Sequence, residues 1–512
     1  MAIFSKKGEQ SRFISGTNIE KHREWRGLKD TWYDYTQWIR LLGIVMKFVA
    51  ISPVRIASGV FEYRWMGNFL AAFNMRNRCV EGLRGPALRV AHEDLCTIMS
   101  GTTTQIGQMM KGDRRFGENK FGKKIVFLEQ TMPPEIMAGF PNLIPIPLEV
   151  YQGLLSCYMD QNSSPFYIDV MENVGLPADS CRLSANATGV AVNDDFPRAG
   201  SCVIANNMPC DSSTMNSQII ERRLDIPVLT AEVPMRWEDR NTDKYSLYQM
   251  KRIISFVEEQ TGEVFDEAAF WTVIDRHNQE VSNEMEKWEY MKTPYSPIGG
   301  CVGLLFHAFY FTFDGGRNPD VVKTDAKVLK IAKQCYQDKL AAFPKTRHRA
   351  IMWGGPACYW LQFPNWLYNC WGILVVAGMD SFSGNVTIPT SSVDDALVGI
   401  ARNHETGIMR RHLTGGWEHL VEFWAEAEKF NCDMVILNND ITCKGALGLT
   451  GVILDQAKDK KQHLMLVSND MFNHVVISRA DMRKEVNDYM TAVMQETPLD
   501  ASLLEYDDYE GW

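Results

Sequence analysis

One phrase occurs twice in this chain, and both copies run toward a cysteine. Val203-Ile204-Ala205-Asn206-Asn207 leads to Cys210, and Val435-Ile436-Leu437-Asn438-Asn439 leads to Cys443. Each copy is a short apolar run bounded by polar residues, the pattern of a strand buried on both faces of a parallel sheet. Each cysteine then falls in the loop just past the strand's carboxyl end, the edge at which open α/β sheets hold ligands. Two similar units, each offering a thiolate at that edge, predict a soft metal or an iron–sulfur cluster held between two lobes.

At 512 residues the chain exceeds one ordinary core, so two or three domains are expected. Its 45% hydrophobic and 23% charged content is that of a globular protein and excludes a long disordered one. A net charge of -10 argues against a nucleic-acid partner, while leaving room for a local basic pocket. The 12 cysteines are too thinly spread for a disulfide-dense secreted scaffold. No apolar segment of a signal peptide follows Met1, and the best membrane candidate, residues 41–54, is interrupted by Lys47 and too short to span. The expectation is a cytoplasmic protein with no membrane association, whose thiols stay reduced and available as ligands.

The predicted fold class is α/β: two Rossmann-like parallel-sheet domains, with a helical middle segment and a helical N-terminal extension. Residues 1–120 form the extension, with helix-like spacing over 32–48 and 90–98. Residues 121–240 form the first Rossmann-like domain, with strands expected at 124–128, 166–170, 201–205 and 227–233. Pro133-Pro134 is expected to start a helix over 135–138, since proline suits a first turn. Residues 241–345 form the helical middle domain, where Leu247, Met250, Ile253, Ile254 and Val257 fall at helical spacing and 266–290 continues in long helices. Residues 346–512 form the second Rossmann-like domain, with strands at 348–353, 372–376, 434–437 and 464–467, a helix over 418–430 and an acidic tail.

Three cysteines take loop positions. Cys181 lies in Ala178-Asp179-Ser180-Cys181-Arg182; Cys210 follows Pro209 and precedes small polar residues that could open a helix; Cys443 precedes Lys444-Gly445. Three thiolates brought together would leave one iron of a cubane without a protein ligand and open to substrate. The competing reading for any cysteine is a buried small apolar side chain. That reading is taken for Cys157, Cys301, Cys335, Cys370 and Cys432, which sit in apolar runs, and for Cys202, which begins a strand. Cys79 and Cys96 receive no role, and Cys358, after Gly354-Gly355-Pro356-Ala357, is a reserve ligand. Gly117 to Lys123 matches a phosphate-loop spacing, but Lys124 stands where a magnesium-binding hydroxyl belongs and a strand follows in place of a helix. With no dinucleotide fingerprint, zinc-protease motif or nucleophile elbow, nicotinamide binding and ATP hydrolysis gain no support.

These residues in their order resemble the 2-hydroxyacyl-CoA dehydratase and benzoyl-CoA reductase superfamily, and the D-component of 2-hydroxyglutaryl-CoA dehydratase in particular. Pro133-Pro134-Glu135-Ile136-Met137-Ala138-Gly139 is similar to the family's opening Pro-x-Glu-Leu-x-x-Ala-x-Gly. Cys181-Arg182, Asn206-Asn207-Met208-Pro209-Cys210-Asp211, Ile226-Pro227-Val228-Leu229, His348-Arg349 to Pro356 and Asn439-Asp440-Ile441-Thr442-Cys443-Lys444 continue the likeness over about residues 120 to 490. The N-terminal extension has no match in it.

The resemblance implies that Cys181, Cys210 and Cys443 ligate an iron–sulfur cluster, a [4Fe-4S] cubane first and a double cubane as the alternative. It implies a heterodimer with a second homologous subunit, a separate ATP-dependent iron–sulfur activator, and an acyl-CoA substrate. The β-hydrogen of a 2-hydroxyacyl thioester is too weakly acidic for ordinary elimination. One added electron gives a ketyl radical anion that can expel the hydroxyl, after which that hydrogen is far more acidic. Glu135, expected to face the same edge, is the candidate acid/base; its alternative is a carboxylate held at a helix's first turn by the dipole. The leading reading is a lyase, a radical dehydratase subunit. The alternatives are a benzoyl-CoA reductase-like subunit, with Trp353, Tyr359, Trp360 and Trp366 lining a flat pocket, and a noncatalytic cluster or scaffold subunit.

Overall fold

The computed structural model describes residues 28–67, 76, 78–80, 82–206, 211–232, 240–309, 314–382, 385–403 and 417–505. Cys210, the Val233 end of the expected fourth strand and the acidic tail lie outside them. Two four-stranded, wholly parallel sheets organise the fold. The first contains β1 (Ile125–Leu128), β2 (Ile144–Pro147), β3 (Cys202–Asn206) and β4 (Val228–Ala231), in the spatial order β2-β1-β3-β4. The second contains β5 (His348–Trp353), β6 (Ile373–Gly378), β7 (Met434–Asp440) and β8 (His463–Asn469), in the order β6-β5-β7-β8. The two orders are the same, so the repeated phrase occupies equivalent strands, β3 and β7. In each sheet the strand order reverses between the first and third strands, and a crevice opens there at the carboxyl edge. The α/β class with two parallel sheets is therefore the observed one.

Central strands show why the apolar runs were needed. All residues of β1 and β3 are buried, as a parallel sheet covered on both faces requires. β2 was not foreseen, because Ile144-Pro145-Ile146-Pro147 carries two prolines. It pairs with β1 alone, and an edge strand tolerates residues that cannot donate to a ladder.

In chain order the principal helices are α1 (Leu28–Ile51), α2 (Pro53–Glu62), α3 (Gly85–Gly112), α4 (Ser163–Asn173), α5 (Arg182–Val192), α6 (Asp211–Leu224), α7 (Arg240–Thr261), α8 (Glu267–Met291), α9 (Gly300–Phe309), α10 (Pro319–Gln337), α11 (Phe363–Trp371), α12 (Val393–Asn403), α13 (Trp417–Lys429), α14 (Lys444–Lys460) and α15 (Arg479–Asp488). The strand expected at 166–170 is instead part of α4. Ser164, Tyr167, Ile168 and Met171 are its buried residues while Phe166 is exposed, a three-to-four spacing that a strand cannot produce. The helix expected over 135–138 is a single 3-10 turn, Pro134–Met137.

The N-terminal helices join the helical middle segment. α3 packs on α9 and α10, and Thr97 and Thr324 share a buried hydroxyl hydrogen bond of 2.7 Å. One apolar cluster joins Cys157, Ile168 and Leu183 of the first half to Trp360, Trp366, Met465 and Phe472 of the second. Trp353, Tyr359, Trp360 and Trp366 are all buried core, which removes the flat aromatic pocket. Among the described residues no single helix is long and apolar enough to cross a membrane; the bent pair 35–51 and 53–62 passes by length and composition only.

The turn after β5 depends on Gly354. Its φ of +89° is one that side chains disfavour, and a Cβ there would lie 2.2 Å from the Asn438 carbonyl oxygen of β7. Gly354→Ala should therefore lower stability by about 2 kcal/mol or more, read as a lower denaturant midpoint. An unchanged midpoint would show that β5 and β7 are not so closely apposed.

Candidate functional site

Cys181 and Cys443 stand at the N-caps of α5 and α14, and neither side chain caps its helix. α6 begins at Asp211, the residue that follows Cys210 in sequence. All three cysteines thus immediately precede a helix. The positive end of a helix favours a thiolate over a thiol, which suits a metal ligand.

Loop 179–182 is where these helix starts meet. The Cys181 backbone N–H donates to Ser212 Oγ in the first turn of α6, at 3.1 Å. Asp179 pairs with Lys444, the first residue of α14, at 3.0 Å. Both partners are exposed, so this pair reports position rather than adding much stability. Arg182 lies deeper. Its Nε donates to Asp470 just past β8 at 3.0 Å, and a terminal nitrogen reaches Glu172 of α4, also at 3.0 Å. The α5 start, carried by the first lobe, is thereby fixed to the carboxyl edge of the second sheet.

Burial separates the cysteines. Cys157, Cys202, Cys370 and Cys432 are buried, and burial pushes each thiol up to about 12. Cys301 and Cys335 are buried too. The reserve ligand Cys358 is buried, its Sγ 3.5 Å from the Pro356 carbonyl. Cys181 and Cys443 are half-buried. Among the described residues no group of three or more His, Cys, Asp or Glu is arranged to hold a metal ion; the three-cysteine set includes Cys210, which lies outside them.

Beneath the cysteine loops the two lobes differ. In the first lobe, Glu129 directly follows β1 and is buried between β1 and β3. It accepts from Asn206 Nδ2 at 2.7 Å and from the Thr131 backbone N–H at 3.1 Å. Glu149, past β2, is also buried and accepts from Asn216 Nδ2 of α6 at 2.9 Å and from the Gln130 N–H at 3.0 Å. Burial, with the charge of Glu149 second, pushes Glu129 up to about 8. Asn216 in turn accepts from Thr188 of α5 at 3.0 Å, so a buried polar network runs under the α5 and α6 starts.

In the second lobe, Gly354 takes the place after β5 that Glu129 takes after β1. Asn438, the counterpart of Asn206, is 1% exposed, and neither atom of its amide finds a hydrogen-bond partner among the described residues. Asp440 Oδ2 and Asn469 Oδ1 are orphaned in the same way. Asp440 Oδ1 accepts from Thr442 N–H and Oγ1 at 3.0 and 2.9 Å and so shapes the Cys443 loop. Its carboxyl is pushed up to about 6 by burial. Buried polar atoms without protein partners at a sheet's carboxyl edge are free to pair with water or with a polar ligand.

Glu135 is 1% exposed in its 3-10 turn, with Oε1 3.0 Å from His277 Nδ1 of α8, so its carboxyl faces the helical segment. His277 is itself fully buried, with Nε2 3.1 Å from the Val386 carbonyl. Glu129 and Glu149 have no part in the sequence reading, and Asn438 enters it only as a member of the repeated phrase. The available signal was a charged residue placed directly after a wholly apolar strand, as in Phe127-Leu128-Glu129.

A raised carboxyl holds its proton in the fold at pH values where the unfolded chain has lost it. Stability from Glu129 is therefore present in full below about pH 4.5 and falls as pH rises toward about 8. Glu129→Gln should flatten the decline in denaturant midpoint seen in the wild type between about pH 5 and 8. A decline of the same slope in both proteins would contradict the assignment.

A family model described as 2-hydroxyglutaryl-CoA dehydratase, D-component, matches residues 131–489. No curated protein matches the chain.

Proposed function

The chain belongs to the 2-hydroxyglutaryl-CoA dehydratase D-component family, and from that premise we propose that it is the iron–sulfur subunit of an activator-dependent radical 2-hydroxyacyl-CoA dehydratase. Membership makes it a component of the dehydratase and reductase superfamily. The observation that carries the finer reading is the junction at loop 179–182, whose residues touch the first turns of both α6 and α14. Each of those helices starts immediately after one of the other two cysteines.

The donor set fits an iron–sulfur cluster. Cys181, Cys210 and Cys443 would hold it through three thiolates favoured by helix N-termini, and three ligands leave a [4Fe-4S] cubane one open iron. When bound, the cluster supplies a one-electron route and a Lewis-acidic iron for an acyl thioester. The chain's own residues supply the rest. Glu129 holds a proton at neutral pH, beneath the helix start that follows Cys210, and can exchange it with a departing hydroxyl or an activated carbon. At the carboxyl edge of the second sheet, Asn438 Nδ2 can donate to an acyl carbonyl oxygen and Asp440 Oδ2 can accept from a 2-hydroxyl group. Glu135 turns its carboxyl to His277 of the helical segment, and its standing as an acid/base candidate rests on that contact. We further infer a cytoplasmic setting, a second homologous subunit and a separate ATP-dependent activator.

Anaerobically purified chain should contain about four iron and four acid-labile sulfide. Cys443→Ala should lose most of that iron while its circular dichroism spectrum stays native. Full iron content in the variant would remove Cys443 from the ligand set.

A further inference from the structure

α1 is apolar on two opposite faces. Trp38, Leu41 and Phe48 are turned inward and half-buried against the neighbouring cores. On the outer face Leu28, Trp32, Tyr35, Ile39, Leu42 and Met46 are exposed by 90, 69, 38, 65, 60 and 55%. Their spacing is four, three, four, three, four. At 100° per residue the six positions stay within about 40° of one line, so they form a straight seam along the helix. A helix apolar on two faces is normally covered on both, and among the described residues this one is covered on one.

The seam itself selects its occupant. A strict four-three alternation is the register of a two-helix coiled coil, whose knobs need a partner helix with the same register. We propose that α1 of a second copy of this chain supplies that helix, giving a two-fold dimer through α1. The pairing is self-complementary, since each copy presents the same six side chains, as a two-fold interface requires. Six side chains of this size and exposure would bury roughly 700 Å² per copy, close to the ~800 Å² of a standard stable interface. Gly43, between Leu42 and Met46 in the chain, has nothing within 4 Å of a Cβ position and leaves room for a second backbone. Because α1 is already held by its inner face and by the 2.8 Å Arg40–Asp320 pair, association does not have to form the helix first. A bilayer fits less well: α1 and α2 bend by 114°, and α1's inner face is committed to the protein body.

The test uses the full chain, purified without oxygen, in sedimentation velocity from low to high micromolar concentration. The wild type should be a dimer at the upper end, and Ile39→Glu and Leu42→Glu should each raise the dissociation constant by more than about 100-fold, since two unpaired charges would be buried across the axis. Lys47→Glu, exposed and off the seam, should leave the dimer intact. Native circular dichroism in each variant separates dissociation from unfolding. A monomeric wild type, including one that binds anionic phospholipid vesicles through the seam or pairs only with a different chain, would overturn the proposal. So would a dimer unmoved by both seam variants.

Discussion

The structure depends on holding three helix starts at one point between two sheets. Parallel strands deliver their following loops to a single edge, and each helix that returns from that edge begins with unpaired backbone N–H groups. A cysteine before such a helix is placed at the positive end of its dipole. The buried Arg182–Asp470 contact then fixes the α5 start, which follows a loop of the first lobe, onto the end of the second sheet. Together with the apolar cluster shared by the two halves, that crossing tie holds the carboxyl edges of the two sheets beside each other.

The lobes repeat each other in topology and differ where chemistry is concerned. Each has the same strand order and an asparagine near the end of its third strand. The first lobe fills its crevice floor with Glu129 and Glu149 and satisfies them through Asn206 and Asn216. The second replaces the glutamate with Gly354, pressed against β7, and leaves Asn438 and Asp440 with unsatisfied atoms. The duplicated scaffold thus differs between its halves: one side buries a carboxyl whose proton affinity is raised, the other buries polar atoms without protein partners.

Much of this was legible in the residues. Short apolar runs gave seven of the eight strands, and the repeated phrase marked equivalent positions in the two sheets. The strand it could not give was Ile144–Pro147, where proline hides an edge strand from any rule based on ladder donors. The 166–170 segment misled because aromatic and β-branched residues crowd it, although its buried positions follow a helical period. Although the element before Cys181 is a helix and not the expected strand, the loop positions of Cys181 and Cys443 were legible from the turn-forming residues around them. The carboxyls beneath them were not, since a single glutamate says nothing of its burial until the strands beside it are paired. The outward seam of α1 was hidden for a different reason: its spacing reads as an ordinary core helix until the fold shows which face is already in use.

The most direct test of the central claim is anomalous diffraction at the iron edge from crystals grown without oxygen. The account predicts one strong iron peak in the crevice between the sheets, bonded to the sulfurs of Cys181, Cys210 and Cys443. A crevice without iron signal, or iron bonded to a different set of side chains, would contradict it.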